Sequence, residues 1–215
     1  MGYEPDLIAR YRAVAVASIS DALNQLGHRG TMTHEIKPLL RAKIVGPAVT
    51  VLEEPADGAG PPTHALEAID AAAAGSVVVI SNGGDPDVSV WGGLMTAGAR
   101  VRGLVGAVLD GSARDIEEIE RDFGFPVFAR GLSPNTTVGR YRTVARDVPV
   151  ECAGVPVHPG DLVVGDPDGV VVVPGQLVSD AIERAEQIQE RERRQAEAIR
   201  TLGSLVEAVE RYGRI

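Results

Sequence analysis

The sequence predicts an α/β fold with a substantial antiparallel portion, and three features carry that reading. Short, wholly apolar runs at residues 77–80 and 104–109 fit strands buried on both faces. They alternate with segments of helical periodicity, giving strand, loop, helix, strand, helix in order. After Val127 the pattern shifts to short β segments, the later ones separated by Pro-Gly and Asp-Gly turns.

The elements follow in chain order. Residues 6–26 carry apolar side chains at helical spacing; Ser18 followed by Asp21 reads as a capping box opening a second helix, which Gly27 stops. Residues 44–52 read as a strand whose Gly46-Pro47 pair implies an edge or a bulge. A Gly/Pro loop at 57–62 precedes a helix over 65–74, with Thr63 as its N-cap and Gly75 as its stop. Strand 77–80 leads into a polar loop, 81–89, and then a helix from about Gly92 to Arg102. Strand 104–109 and a helix over 116–123 come next. Short strands are expected at 148–150, 155–157, 162–165 and 170–173, with turns at Pro159-Gly160 and Asp168-Gly169.

A long helix dense in charge closes the chain, from residue 176 to about 200–202. Val178, Ala181, Ile182, Ala185 and Ile188 share one face, whereas 189–197 is almost wholly polar, with Glu190 placed to pair with Arg194. Such a stretch projects from the body or lies against a partner.

Composition narrows the function classes. At 215 residues the chain is expected to form one domain over 1–215. A net charge of −9, with no basic stripe to offset it, argues against a nucleic-acid binder that works by counterion release. Aromatic residues are only 4%, so Ala, Val, Ile and Leu must fill the core. The single Cys152 excludes an internal disulfide and a cysteine-only zinc site. With no His or basic neighbour in sequence, it reads as buried rather than nucleophilic. No apolar run approaches the roughly 20 residues that span a bilayer, and MGYEPDLIAR lacks a signal-peptide core, so a soluble cytoplasmic protein is expected. His28, His34, His64 and His158 are scattered without helical ligand spacing, which disfavours a His-rich zinc site.

Two segments carry candidate chemistry, both expected as loops at strand ends, where ligands of α/β sheets tend to sit. In SNGGDPDVSVWGGLM, Gly92 and Gly93 lead into a helix whose unpaired amides suit a carboxylate, although a tight turn alone would also explain the pair. Trp91 is expected to pack against the body. In LDGSARD, residues 109–115, Ser112 and Asp115 fit a capping box, which explains Asp115 but not Arg114. A cation in the first helical turn opposes the macrodipole by about 0.3–1 kcal/mol, and residues that break a local rule are functional candidates. Arg114 on the oxo or carboxylate oxygen, a divalent metal on Asp115, and glycine amides on the remaining oxygens would together hold a small α-keto acid. Lys37 and Lys43 are the only lysines and lie outside both segments, which disfavours a Schiff base.

WGGLMTAGARVRGLVGAVLDGSARD resembles the signature of the class II pyruvate aldolases acting on 4-hydroxy-4-methyl-2-oxoglutarate, a family that also contains the ribonuclease regulator RraA. ISDALNQLG, KPLLRAKIVGPAVTV and VHPGDLVVGDPDGVVVVP match in order, so the resemblance covers roughly residues 18–174. It implies a swivelling β/β/α domain with mixed central β-sheets flanked by helices, assembled as a homotrimer or hexamer with sites near subunit interfaces. It assigns Gly92, Gly93, Leu94 and Met95 to the substrate-carboxylate loop, Arg114 to substrate binding and enolate stabilisation, and Asp115 to a Mg2+ or Mn2+ cofactor. One position departs. The aldolases carry an acidic residue where this chain has Gly93, with twenty residues between that position and Arg114. Loss of such an outer-sphere partner typically costs about 10–100-fold in affinity or activity. Asp85 or Asp87 is the candidate replacement from the loop just upstream, although turn chemistry alone accounts for both. The family also draws an acid from a neighbouring subunit's C-terminal helix; Glu190 is the candidate, with Glu192 and Glu197 nearby.

The leading expectation is a divalent-metal lyase forming pyruvate enolate, by retro-aldol cleavage of 4-hydroxy-4-methyl-2-oxoglutarate, by decarboxylation of oxaloacetate, or both. A non-catalytic regulator that docks on a ribonuclease is the alternative from another class. A family lyase for a different keto acid is the third. No nucleic-acid or membrane partner is expected.

Overall fold

The computed structural model describes residues 2–212. The chain opens with helices α1 (Pro5–Ala13) and α2 (Val16–Gln25), then strands β1 (Lys37–Pro38) and β2 (Ile44–Pro55), and helix α3 (Thr63–Ala71). Strands β3 (Val77–Ser81) and β4 (Ser89–Trp91), helix α4 (Gly93–Val101), strand β5 (Gly106–Ala113) and the short helix α5 (Ile116–Glu118) follow; α5 widens into a π turn over Ile119–Phe123. Then come β6 (Val127–Leu132), β7 (Tyr141–Arg146), β8 (Val150–Cys152), β9 (Val155–Val157), β10 (Leu162–Asp166) and β11 (Gly169–Val173), and last α6 (Val178–Leu202) and α7 (Leu205–Tyr212).

The main sheet runs β1-β6-β5-β3-β2-β10-β11, with β4 beside β5 and β7 beside β2. Strands β2, β3, β5 and β6 are parallel, and β1, β7, β10 and β11 join antiparallel, so the sheet is mixed. Its edges nearly meet: Thr31, just before β1, bridges to Val171 of β11, and the Met32 amide donates to the Val170 carbonyl. The enclosed face holds Ile44, Val79, Val108, Phe128 and Val163, plugged by the β8–β9 hairpin. Outside, α3, α4 and the start of the π turn cover one part of the sheet, and α1, α2 and α6 cover another. Every residue of β3 and β5 is therefore buried, as their unbroken apolar runs predict.

Several elements depart from the sequence reading. The first helical stretch breaks at Val14 and Ala15, both extended, and α2 starts at Val16 rather than at a Ser18 capping box. The orphan amides there find distant acceptors: Ala15 donates to Gln189 Oε1 at 2.9 Å and Val16 to Asp166 Oδ2 at 3.0 Å. Ser18 is buried instead. Thr63 is the first helical residue of α3, not its N-cap.

Strand β2 is central despite its Gly46-Pro47 pair. Ala48 donates toward Asp161 on the β10 side, so by alternation the Pro47 nitrogen faces the β3 side, one residue before that pairing begins at Ala48. Gly46 is required by contact: a Cβ there would lie 2.1 Å from the Gly75 carbonyl oxygen. Strands β6 and β7 escape the sequence pattern altogether. At the other end, α6 buries the predicted apolar face, and Gly203 (φ 67°) turns the chain so that α7 lies against α6, where Gln195 and Ala198 are buried.

Candidate active site

The site is built where β4 and β5 end side by side. Strand β5 does not stop at Leu109 but runs through Asp110, Gly111 and Ser112 to Ala113, between β4 and β6. The expected loop at 109–115 thus shrinks to Arg114 and Asp115. Ser112 is a buried strand residue whose hydroxyl donates to the Pro86 carbonyl, so it forms no capping box with Asp115. Ser89 of β4 pairs with Ser112 and Trp91 with Ala113, and the Arg114 amide donates to the Trp91 carbonyl at 3.0 Å. This pairing delivers Gly92-Gly93 and Arg114-Asp115, with twenty residues between them in sequence, to one place. Trp91 anchors it. Its indole is buried, stacks on Phe125 with centroids 5.9 Å apart, and donates to Thr96 Oγ1 at 2.8 Å.

The two glycines leave room for neighbouring side chains and do not serve a turn. Gly92 is extended (φ −161°, ψ −172°), a conformation any residue adopts, and Gly93 is the first residue of α4. A Cβ on Gly92 would lie 2.7 Å from Asp115 Oδ2 and 3.3 Å from Arg114 Cγ. A Cβ on Gly93 would lie 2.7 Å from Glu118 Oε2 and 2.9 Å from both Cδ and Oε1. Arg114, Asp115 and Glu118 thus fold over a stretch of backbone kept bare for them.

Asp115 is left-handed (φ 59°, ψ 30°), one of the few non-glycine residues so placed. Such strain persists only where the surroundings hold it, and it clusters at functional sites. Its Oδ2 accepts the Gly93 amide at 3.0 Å and lies 3.6 Å from Arg114 Nε. The next two amides of α4, those of Leu94 and Met95, donate to no protein acceptor among the described residues. They are the open donors of a helix N-terminus. Arg114 and Asp115 side chains are 43% and 41% exposed at a cleft of 330 Å³ walled by Ile116, Leu132, Ser133 and Pro134. Leu94, in the first turn of α4, is 90% exposed.

A larger cavity of 810 Å³ lies elsewhere, beneath Tyr3, Ala48 and Gly160. Its charged groups are already engaged: Arg146 pairs with Glu67 and Asp147, and Asp161 accepts the amides of His158 and Gly175. Chemistry, not size, selects the Arg114 cleft.

Neither candidate replacement for the acid missing at position 93 supplies the atoms nearest to a Cβ there, which belong to Glu118. Asp85 Oδ2 accepts the Tyr141 hydroxyl at 2.9 Å, which together with burial pushes that phenol up to about 12. Asp87 donates its amide to Asp85 Oδ1 in the same turn. Glu118 is the acid that reaches Gly93, and sequence reasoning missed it; the available signal was its i+3 spacing from Asp115. Glu190 bonds to Arg193 and Arg194 at 2.8 and 2.7 Å, which hold its carboxyl down at about 2, and its bonds do not run to Arg114 or Asp115. Cys152 is buried against Met32, and burial pushes its thiol up. Among the described residues, no group of three or more His, Cys, Asp and Glu side chains converges to hold a metal.

A family model described as RraA-like, Aldolase/RraA, matches residues 16–172. Protein DlpA of Legionella pneumophila is 34% identical over 210 residues, which is 97% of this chain but only 34% of DlpA, so the chain spans about a third of that relative's length. A Halalkalibacterium halodurans protein bearing the provisional name 4-hydroxy-4-methyl-2-oxoglutarate aldolase is 36% identical over 191 residues, 86% of this chain and 85% of the relative. The crystal structure of Streptomyces coelicolor RraAS2, described as an unusual member of the RNase ES inhibitor RraA protein family, superposes with a TM-score of 0.81 at 28% identity, covering 90% of this chain and 96% of that one. With the mixed, nearly closed sheet and the WGGLM and DGSARD segments brought together at one site, these likenesses agree: the chain belongs to the RraA-like family.

Proposed function

We propose that the chain is a lyase that breaks a carbon–carbon bond in a small 2-oxo acid and releases pyruvate, with Mg2+ or Mn2+ as cofactor. The observation that carries this reading is the convergence of Arg114 and Asp115 over the bare Gly92-Gly93 backbone, beside the open amides of Leu94 and Met95. The aldolase name borne by the H. halodurans relative points the same way.

The residues divide the work by their chemistry. The amides of Leu94 and Met95, at the positive end of α4, take the substrate carboxylate. Arg114 donates to the 2-oxo oxygen and offsets the negative charge that grows there as the bond breaks. Asp115 offers a hard carboxylate oxygen, exposed enough for water to complete a coordination shell, and this suits Mg2+ or Mn2+ better than zinc. When bound, the cation supplies Lewis-acid polarisation of the oxo group. For 4-hydroxy-4-methyl-2-oxoglutarate, the C4 hydroxyl loses its proton as the C3–C4 bond breaks, giving one pyruvate and the enolate of a second. For oxaloacetate, carbon dioxide leaves and the same enolate forms. Protonation at C3 completes either reaction.

The proposed assembly is a homotrimer or hexamer with the cleft at a subunit interface. Leu94 and Val101, near the two ends of α4, are 90% and 87% exposed, apolar surface of the kind that marks contacts. In that assembly Glu190 of a neighbouring subunit would approach the cation.

Pyruvate release from each substrate, with Mg2+ or Mn2+, with chelator and with Arg114→Ala, tests the reading. Expected is cation-dependent release that the variant lowers by about 10²–10³-fold with its fold intact. Release by Arg114→Ala at the parent rate would sink it. A second reading, a regulator that binds a ribonuclease, is favoured by the likeness to RraAS2 and by the glycine at 93. It would take over if neither substrate yields pyruvate above the metal-only background while the protein lowers ribonuclease activity.

A further inference from the structure

We infer that the substrate of this cleft is a 4-hydroxy-2-oxo acid whose C4 carries an apolar group, so that cleavage releases pyruvate and an apolar aldehyde or ketone instead of a second oxo acid. This rests on the lyase reading above and adds to it what the far wall of the cleft accepts. Arg114 and Asp115 belong to two surroundings. On one side they touch Gly92 and the first turn of α4; on the other they line the 330 Å³ cleft with Ala113, Ile116, Leu132, Ser133 and Pro134. A 2-oxo acid held by its C1 carboxylate at the α4 amides and by its oxo group at Arg114 therefore extends C4 toward that second wall.

The wall offers nothing to an anion. Ile116, Leu132 and Pro134 have no polar side-chain group. Ser133 is already engaged throughout: its amide donates to the Ala113 carbonyl at 3.1 Å, its hydroxyl donates to the Asp87 carbonyl at 2.6 Å, and its carbonyl accepts the Ser89 hydroxyl. The bases nearby in sequence are held elsewhere, Arg121 by Asp122, Arg130 by Asp110 and Glu35, and Arg140 by the Thr136 carbonyl. Among the described residues Arg114 is thus the one cation lining the cleft, and the oxo group engages it. A carboxylate on C4 would give up water there without gaining a partner. An alkyl group would instead cover Leu132, which is 56% exposed at the end of β6. Strand register fixes this wall, because Leu132 pairs with Ala113, the residue before Arg114. In the reaction the C4 hydroxyl proton passes to water and C4 becomes the carbonyl carbon of the aldehyde or ketone. The electron pair of the C3–C4 bond forms the enolate, and a proton from water at C3 completes pyruvate.

The test compares 4-hydroxy-4-methyl-2-oxoglutarate with 4-hydroxy-4-methyl-2-oxohexanoate, which carries an ethyl group in place of the second carboxylate and yields pyruvate and butanone. Pyruvate release with Mn2+ should favour the ethyl compound about 10-fold in kcat/KM, the low end for small differences in an apolar pocket. Leu132→Arg should swing that ratio toward the dicarboxylate by about 10–100-fold, the worth of one charge-assisted hydrogen bond, with the melting temperature unchanged. Dividing the variant's ratio by the parent's cancels the difference in intrinsic reactivity between the two compounds. A parent preference for the dicarboxylate, or a ratio that Leu132→Arg leaves unmoved, would overturn the apolar substrate class and leave the lyase reading standing, because pyruvate is still released. No pyruvate from either compound or from oxaloacetate would overturn both.

Discussion

The Gly93 amide donates to Asp115 Oδ2 at 3.0 Å, so the first turn of α4 is capped by a side chain from beyond the end of β5. Gly92, the residue at the N-cap position, has no side chain to do this itself. One carboxylate thus closes a helix terminus and faces the cleft. Removing it should cost stability as well as activity. Asp115→Ala is expected to lose about 1 kcal/mol from the cap, or more because Ala tolerates the left-handed backbone poorly. For a chain of this size that lowers the melting temperature by about 2–4 °C. Asp115→Asn keeps an acceptor oxygen and should melt near the parent. Thermal unfolding of the pair decides it: equal melting of Asp115→Ala and parent would mean that the hydrogen bond contributes nothing.

Gly92→Ala separates space from conformation. The backbone at 92 suits alanine, so a glycine serving only a turn would be replaceable at no functional cost. The added Cβ, however, would meet Asp115 Oδ2 at 2.7 Å and Arg114 Cγ at 3.3 Å, both parts of side chains that can shift. The chain should therefore fold, with at most about 1 kcal/mol lost for alanine at an N-cap. Pyruvate release should fall by about 10²-fold, the scale of effect that a 1 Å displacement of reacting groups produces. Steady-state rates alongside a melting curve check this, and parent-like turnover would show that the close approach is not functional.

How much of this was legible in the sequence depends on the range of the interaction. Val77, Val78, Val79 and Ile80 announce a doubly covered strand because burial on both faces leaves no polar alternation. Arg114 stood out as a cation in an expected first helical turn; the structure places it before Asp115, the N-cap of α5, and so outside that turn, yet it does line the cleft. Ser18 and Ser112 misled because a capping box is a local pattern, and here tertiary partners override it: Gln189 and Asp166 cap α2, and strand pairing absorbs Ser112. Glu118 was passed over for the opposite reason: its i+3 spacing from Asp115 is local and readable, but its reach to Gly93 crosses from α5 to α4. Asp85, close to Gly93 in sequence, belongs instead to Tyr141.

A buried acidic group outside the cleft makes folding less favourable as pH rises. Glu53 lies on β2 at the bulge beside Leu52, opposite Thr143 of β7, and is 2% exposed. Neither of its oxygens has a hydrogen-bond partner among the described residues. Burial without a partner disfavours the charged form and pushes this carboxyl up to about 8, against an ordinary value of 4.5. At pH 4 the group is protonated both folded and unfolded. From about pH 4.5 to 8 the unfolded chain has released the proton and the folded chain has not, so each rise in pH favours unfolding. Above about pH 8 both states are ionised and the loss stops growing, at a total on the order of a few kcal/mol. Glu53→Gln removes the titration while keeping the shape. Its melting temperature, measured against the parent from pH 4 to 9.5, should gain steadily up to about pH 8 and then hold level. A difference that stays constant across that range would mean that Glu53 is ionised in the folded chain at neutral pH and has found a partner.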